Sequence, residues 1–208
     1  MSSATTTQPQ TAESAPAAQV AVVAGALIGA VGAATRFSSI PLLNDLSNRE
    51  MLLQPVSITA NIMMAVGFSI VALAMPGFST RLRLPRWAIL TTAAGCVALA
   101  AAAWGMGTIA PALAHMLTDA QWDQGPGVLG TLAFLPKGLL CAVGFTAMAI
   151  TGWRREIASR GACALLTFAA LIALVTSPAP HLPTALLGGL ALAWFARSAH
   201  PTPEPNTP

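Results

Sequence analysis

The chain has 208 residues, 55% of them hydrophobic and only 8% charged, with a mean hydropathy of +0.67 and a formal net charge of +3. A soluble domain carries about 25% charged residues, so the composition excludes a water-coated globule and fits a polytopic helical membrane protein. Nor does the positive charge mark a nucleic-acid binder, because the arginines sit in short clusters between apolar runs, where such clusters set membrane orientation.

In chain order, residues 1–17 are polar and low in complexity, with neither Lys nor Arg. They read as a disordered cytoplasmic tail and lack the basic start of a secretory signal. The first apolar segment, 18–36, is therefore expected to be a retained span. Within it Gly25, Gly29 and Ala33 form a ladder of small residues that favours close helix packing.

The loop that follows contains Ser47 and, three residues on, Glu50, the signature of a capping box. Leu46, Met51, Leu52 and Leu53 give it an apolar side. A short interfacial helix ended by Pro55 is expected there, with Asp45 and Glu50 as exposed carboxylates. The second segment, 57–76, opens with Ser57, Thr59 and Asn61. An amide in hydrocarbon must find a partner, on a neighbouring helix or on a ligand. The third segment, 87–108, carries a weaker small-residue row at Gly95, Leu99 and Ala103.

His115, Asp119 and Asp123 follow at i, i+4 and i+8. On one continuous helix they share a face, and an imidazole with two carboxylates is chemically able to hold a divalent metal. The competing reading is an amphipathic external helix with solvated acids. The fourth segment, 128–152, contains Lys137, the only lysine in the chain, next to Pro136. Lys137 lies 14 residues before Thr151, which is about 21 Å along a helix against a hydrocarbon thickness of about 30 Å. It thus belongs to the outer half, at a point where Pro136 bends the helix or sets residues 128–135 apart as an outer half-helix. Two roles follow: a snorkelling anchor that fixes helix depth, or a cation facing an outward-open cavity, paired with Asp45, Glu50, Asp119 or Asp123 or contacting an anionic headgroup.

The fifth and sixth segments, 161–177 and 182–197, are short, and Pro178, Pro180 and Pro183 crowd their junction. They read as two further spans, with a hairpin that barely crosses as the alternative. Gly188 and Gly189 extend the small-residue theme, and residues 198–208 form a Pro-rich tail expected to be disordered. Cys96, Cys141 and Cys163 fall in three different segments with no metal-ligand spacing, so they read as small core residues.

With six spans, one side of the membrane carries Arg81, Arg83, Arg86, Arg154, Arg155, Arg160 and Arg197, and the other only Arg36, Arg49 and Lys137. That bias puts both termini in the cytoplasm. Trp87, Trp153 and Trp194 sit beside the basic clusters, at headgroup level. The expected fold is thus an all-α, integral membrane six-helix bundle over residues 18–197, in the plasma membrane of a bacterium whose Ala- and Gly-rich usage points to a GC-rich genome.

No carboxylate falls inside a span, which argues against a proton-coupled pump. Phosphate loops and nucleophile elbows are absent too, and the reading leans away from an enzyme. The favoured function is the binding or transport of a small amphiphile or lipid at an outward-facing polar pocket, with Lys137, Asn61, Asp45 and Glu50 as ligand-binding candidates. Such a protein needs no cofactor. One alternative is a metal-dependent lipid hydrolase or transferase using His115, Asp119 and Asp123. Another is an accessory subunit whose small-residue faces dock on a membrane-protein partner or a second copy.

Overall fold

A computed structural model describes residues 14–43, 45–82, 84–124, 127–176 and 181–200, without the side chains of residues 14, 15, 81, 123 and 127–134. The tails expected at 1–13 and 201–208, and Pro178 and Pro180, lie outside the described residues. Among these residues the chain is all-helical: α1 (Ser14–Leu42), α2 (Asn48–Leu53), α3 (Pro55–Leu82), α4 (Arg86–Trp104), α5 (Ala110–Met116), α6 (Asp119–Asp123), α7 (Gly127–Arg154), α8 (Arg160–Val175) and α9 (Leu182–Ser198). A π-helical turn, Gly105–Ile109, joins α4 to α5 without a break. Ala110 N–H reaches back five residues to Gly105 O, and Pro111, which follows, has no N–H to give to the Gly107 carbonyl.

Four helical stretches are long and apolar enough to cross a membrane: Pro16–Leu42, Pro55–Thr80, Arg86–Met116 and Leu135–Arg154. The shorter α8, with 16 residues, reaches about 24 Å. α1 packs on α3 and α9, α3 on α4, α4 on α7, α7 on α8, and α8 on α9, which closes a ring of antiparallel neighbours. Short connections force such neighbours together.

Small residues set the seams. A Cβ at Gly25 would stand 2.7 Å from the Gly67 carbonyl, and one at Gly32 would stand 2.6 Å from the Ala60 carbonyl, so α1 and α3 touch backbone to backbone. Gly144 meets Thr92 across α7 and α4, and Gly189 meets Ala26 across α9 and α1, in the same way. Inside the ring, Met64, Phe68, Met75, Phe145, Met148 and Phe195 are fully buried and fill the axis. The outer face is apolar as well, with Val31, Val66, Leu73, Leu90, Val97 and Leu171 exposed. A surface of this kind fits a hydrocarbon solvent better than water.

The two ends of the ring differ. At one, the amide of Gln19 donates to Ala196 O at 2.6 Å, His200 N–H donates to Ile157 O at 2.8 Å, and Ser159 N–H donates to Ser198 Oγ at 3.2 Å. Arg86, Arg154 and Arg160 belong to this end, and the Arg160 guanidinium lies 5.9 Å from the centre of the Trp153 ring. Two boundaries depart from expectation. α1 begins at Ser14, inside the stretch read as tail, and residues 198–200 are tied back by the bonds just given, with Ala199 buried.

Candidate functional site

The opposite end holds α2, α5 and α6. Ser47 caps α2 through the expected reciprocal pair: Glu50 N–H donates to Ser47 Oγ at 3.3 Å, and Ser47 N–H donates to Glu50 Oε2 at 2.9 Å. The Ser47 backbone amide, and then its hydroxyl, hold the Glu50 carboxyl below its usual range. Pro55 does more than stop this helix, because it is also the first residue of α3. Leu52 is buried beneath α2. Arg49 pins the element down, with Nε donating to Ala114 O at 2.7 Å and Nη1 donating to Asp119 Oδ1 at 2.8 Å.

That ion pair occupies one acid expected on a shared metal-binding face, and the single helix behind that expectation is not formed. α5 stops at Met116, Leu117 and Thr118 are extended, and Thr118 opens α6 with a second capping box to Gln121. The signal was present in the sequence as Thr118-Asp119-Ala120-Gln121, a capping-box spacing that breaks a helix as readily as Ser47–Glu50 starts one. His115 is exposed in the last turn of α5, and the Asp123 side chain lies outside the described residues. Among the described residues no group of three or more His, Cys, Asp or Glu side chains comes together. Asp45 is exposed in the turn before α2.

Just inside this end, polar side chains converge in the ring. Ser39, Ser57, Asn61, Lys137, His181 and Thr184 are all buried, and they come from α1, α3, α7 and the start of α9. Lys137 is 4% exposed, so it points into the helix assembly, whereas a snorkelling anchor on the outer face would be open. α7 runs unbroken through Pro136 from Gly127, with no separate half-helix.

Asn61 is the hub. Its amide Nδ2 donates to Ser57 O at 2.9 Å, one turn back on α3, which leaves Oδ1 to accept from His181 Nε2 at 3.3 Å. The imidazole therefore carries its proton on Nε2. The hydroxyl of Ser57 donates to Met51 O at 2.6 Å and so ties α2 to the cluster. Thr176 and Thr184 hydroxyls meet at 2.8 Å and bind the end of α8 to the start of α9. Arg36, half-buried on α1, donates to Ser39 Oγ at 3.2 Å. Arg36 and Lys137 both lie close enough to act electrostatically on His181, and Lys137 also acts on Cys141, one turn along α7.

The π turn packs directly on this hub, since a Cβ at Gly107 would stand 3.1 Å from the Asn61 Cβ. One turn below Asn61 on α3 begins an apolar groove of about 580 Å³ between α3 and α4, lined by Ala65, Ser69, Leu73, Val97, Ala101 and Trp104. A polar cluster inside the ring and an apolar groove outside it thus sit on either side of one seam.

All four residues were expected at this end, but only Asn61 and Lys137 as candidates for a site; that Arg36 and His181 join them was not expected. Arg36 reads in sequence as an orientation charge and His181 as a loop residue. Only the closure of α9 onto α1 brings them beside the other two. Compared with known proteins, the chain matches no family model, no curated protein and no solved structure.

Proposed function

We propose that the chain is a six-span integral membrane protein of the plasma membrane, with both termini cytoplasmic, that binds a small amphiphile or lipid at its outward-facing end. In this reading α1, α3, α4 with α5, α7, α8 and α9 are the spans, and α2 and α6 lie at the outer interface. The observation that carries the functional part is the burial of Lys137 with Asn61 and His181 inside the ring. A polar network in that position is expensive in hydrocarbon and calls for a use. The groove beginning one turn from Asn61 supplies an apolar seat for a chain, which supports an amphiphile over a polar solute.

Native mass spectrometry of gently extracted protein tests the reading. The expected result is a bound lipid or amphiphile that Lys137→Met removes while the protein stays monodisperse. Unchanged retention in that variant sinks the site. Orientation is tested separately with cysteines introduced at Asp45 and Arg155 in intact cells. An impermeant maleimide should label the first and spare the second, and the reverse pattern overturns the topology.

A further inference from the structure

The seam between α7 and α8 carries a groove at some distance from the Asn61 cluster. On the outer face of the ring a cavity of about 480 Å³ is lined by Ala142 and Thr146 of α7 and by Ala164, Phe168 and Leu171 of α8. A second cavity of about 270 Å³, lined by Ala149, Ile150, Trp153 and Arg154, meets the first at Thr167, which lines both. The Thr167 hydroxyl donates back to Cys163 O at 3.0 Å, so its proton is used within α8. Ala142 and Arg154 are 12 positions apart on α7, about 18 Å of helix, against about 15 Å for one leaflet of hydrocarbon. The mouth of the groove is basic. Arg154 lines it, and the Arg160 guanidinium stands 5.9 Å from the centre of the Trp153 ring, another lining residue. Both arginines are exposed. A guanidinium is able to rest on an aromatic face while its N–H edge pairs with oxygens. Glu156 is the one acid in the sequence from Arg154 to Arg160, against Arg154, Arg155 and Arg160, so this turn carries an excess of positive charge.

On the reading that the ring lies in a membrane, we infer that this groove seats an acyl chain of an anionic phospholipid, with Arg154 and Arg160 receiving its phosphate. Charge and length select the occupant. The planar fork of an arginine matches two oxygens of a phosphate, and Trp153 beside the pair stands where an indole meets headgroups. From that level the groove runs for the depth of about one leaflet, which fits a lipid chain; a helix of a second copy would cross both. A zwitterionic head brings an ammonium beside the arginines and offsets part of the attraction. The site lies at the opposite end of α7 from Lys137, so it is independent of the amphiphile site there.

The test uses the full chain, extracted in mild detergent and offered phosphatidylglycerol or phosphatidylcholine with matched acyl chains. Retention and oligomeric state are read by native mass spectrometry, and folding by gel filtration. Phosphatidylglycerol should be retained about tenfold over phosphatidylcholine, the scale of two basic side chains at an anionic headgroup. Arg154→Gln and Arg160→Gln should each cut that preference about threefold, while Arg197→Gln, on α9 at the same end, should leave it intact. Ala164→Trp fills the groove and should lower retention of both lipids with the arginines in place. Lys137→Met should leave this lipid bound, which separates it from the occupant of the outward-facing end. Equal retention of the two lipids overturns the site, as does a preference unchanged in both arginine variants or one that falls as far in Arg197→Gln. Full retention in Ala164→Trp overturns the groove as its seat. A dimer that Ala164→Trp splits puts a second copy there and overturns the lipid. Release of the protein from membranes by alkaline carbonate removes the membrane reading itself.

Discussion

Asn61 and His181 stand 120 positions apart in the chain and are joined side chain to side chain at 3.3 Å in the interior of the helix ring. The bond closes the structure at the α2 end, because it links the start of α3 to the start of α9 while α1 lies between them. It also determines the imidazole tautomer, through the second bond from Asn61 to Ser57 O. A double-mutant cycle of Asn61→Leu and His181→Leu, followed by unfolding in detergent or bicelles, should give a coupling of about 0.6–1.7 kcal/mol, the range seen for hydrogen bonds between membrane helices. Each single variant should cost more than the pair's coupling, because it strands a buried polar group. Additive single costs would show that the bond contributes nothing.

The seam between α1 and α3 predicts a contrast between two glycines. Gly25→Ala puts a methyl group 2.7 Å from the Gly67 carbonyl, so the backbones must part, at a cost of about 1–3 kcal/mol. Gly105→Ala meets nothing within 4 Å and should be neutral, or stabilising by up to about 1 kcal/mol through helix propensity. Thermal melts of the two variants in the same detergent distinguish them, and equal shifts would contradict the close approach.

Glu156 is the one non-glycine residue with positive φ among those described, at 55°, where the chain leaves α7. Its neighbours make the closing bonds of a helix end, Ile157 N–H to Gly152 O at 3.0 Å and Arg155 N–H to Thr151 O at 3.0 Å. Glycine takes this left-handed conformation without a Cβ penalty. Glu156→Gly should therefore raise stability by about 0.5–1 kcal/mol, and a lowered melting temperature would count against the geometry.

The cap of α2 gives a pH dependence. Burial plays little part, since Glu50 is exposed; the Ser47 bonds lower its folded-state pKa below the unfolded value. The stabilisation is thus complete above the ordinary glutamate pKa and is lost as pH falls through the lowered folded value. Amide exchange at Met51 and Leu52 should accelerate in that acid window. In Glu50→Gln, which keeps the capping geometry but does not titrate, the acceleration should be absent. Matching profiles in the two proteins would remove the carboxylate from the account.

Much of this molecule was legible because long apolar segments announce helices in the sequence directly. Apolar length marked the helices, and the structure extended each of the longest by a few residues into the loops, where caps and prolines decide the ends. Ser47 and Glu50 announced α2, since a capping box is a purely local hydrogen-bond pattern. Gly25 and Gly29 announced a packing face, because only small side chains permit backbone contact. The same local logic acts at Thr118 and Gln121, whose capping box separates α5 from α6, so His115, Asp119 and Asp123 do not lie on one continuous helix.

The sequence by itself determined which segments are helical, which faces pack closely and which end of the chain's alternation is poor in arginine, all of which depend on neighbours within a few residues. Only the tertiary structure decided that Lys137 points inward, that Asn61 finds its partner in His181, and that Arg36 joins them. The first depends on how α7 packs between α4 and α8, and the other two on how α9 closes the ring onto α1. That closure brings the α9 backbone at Gly189 against Ala26 of α1, a relation between residues more than 160 positions apart that no local pattern encodes.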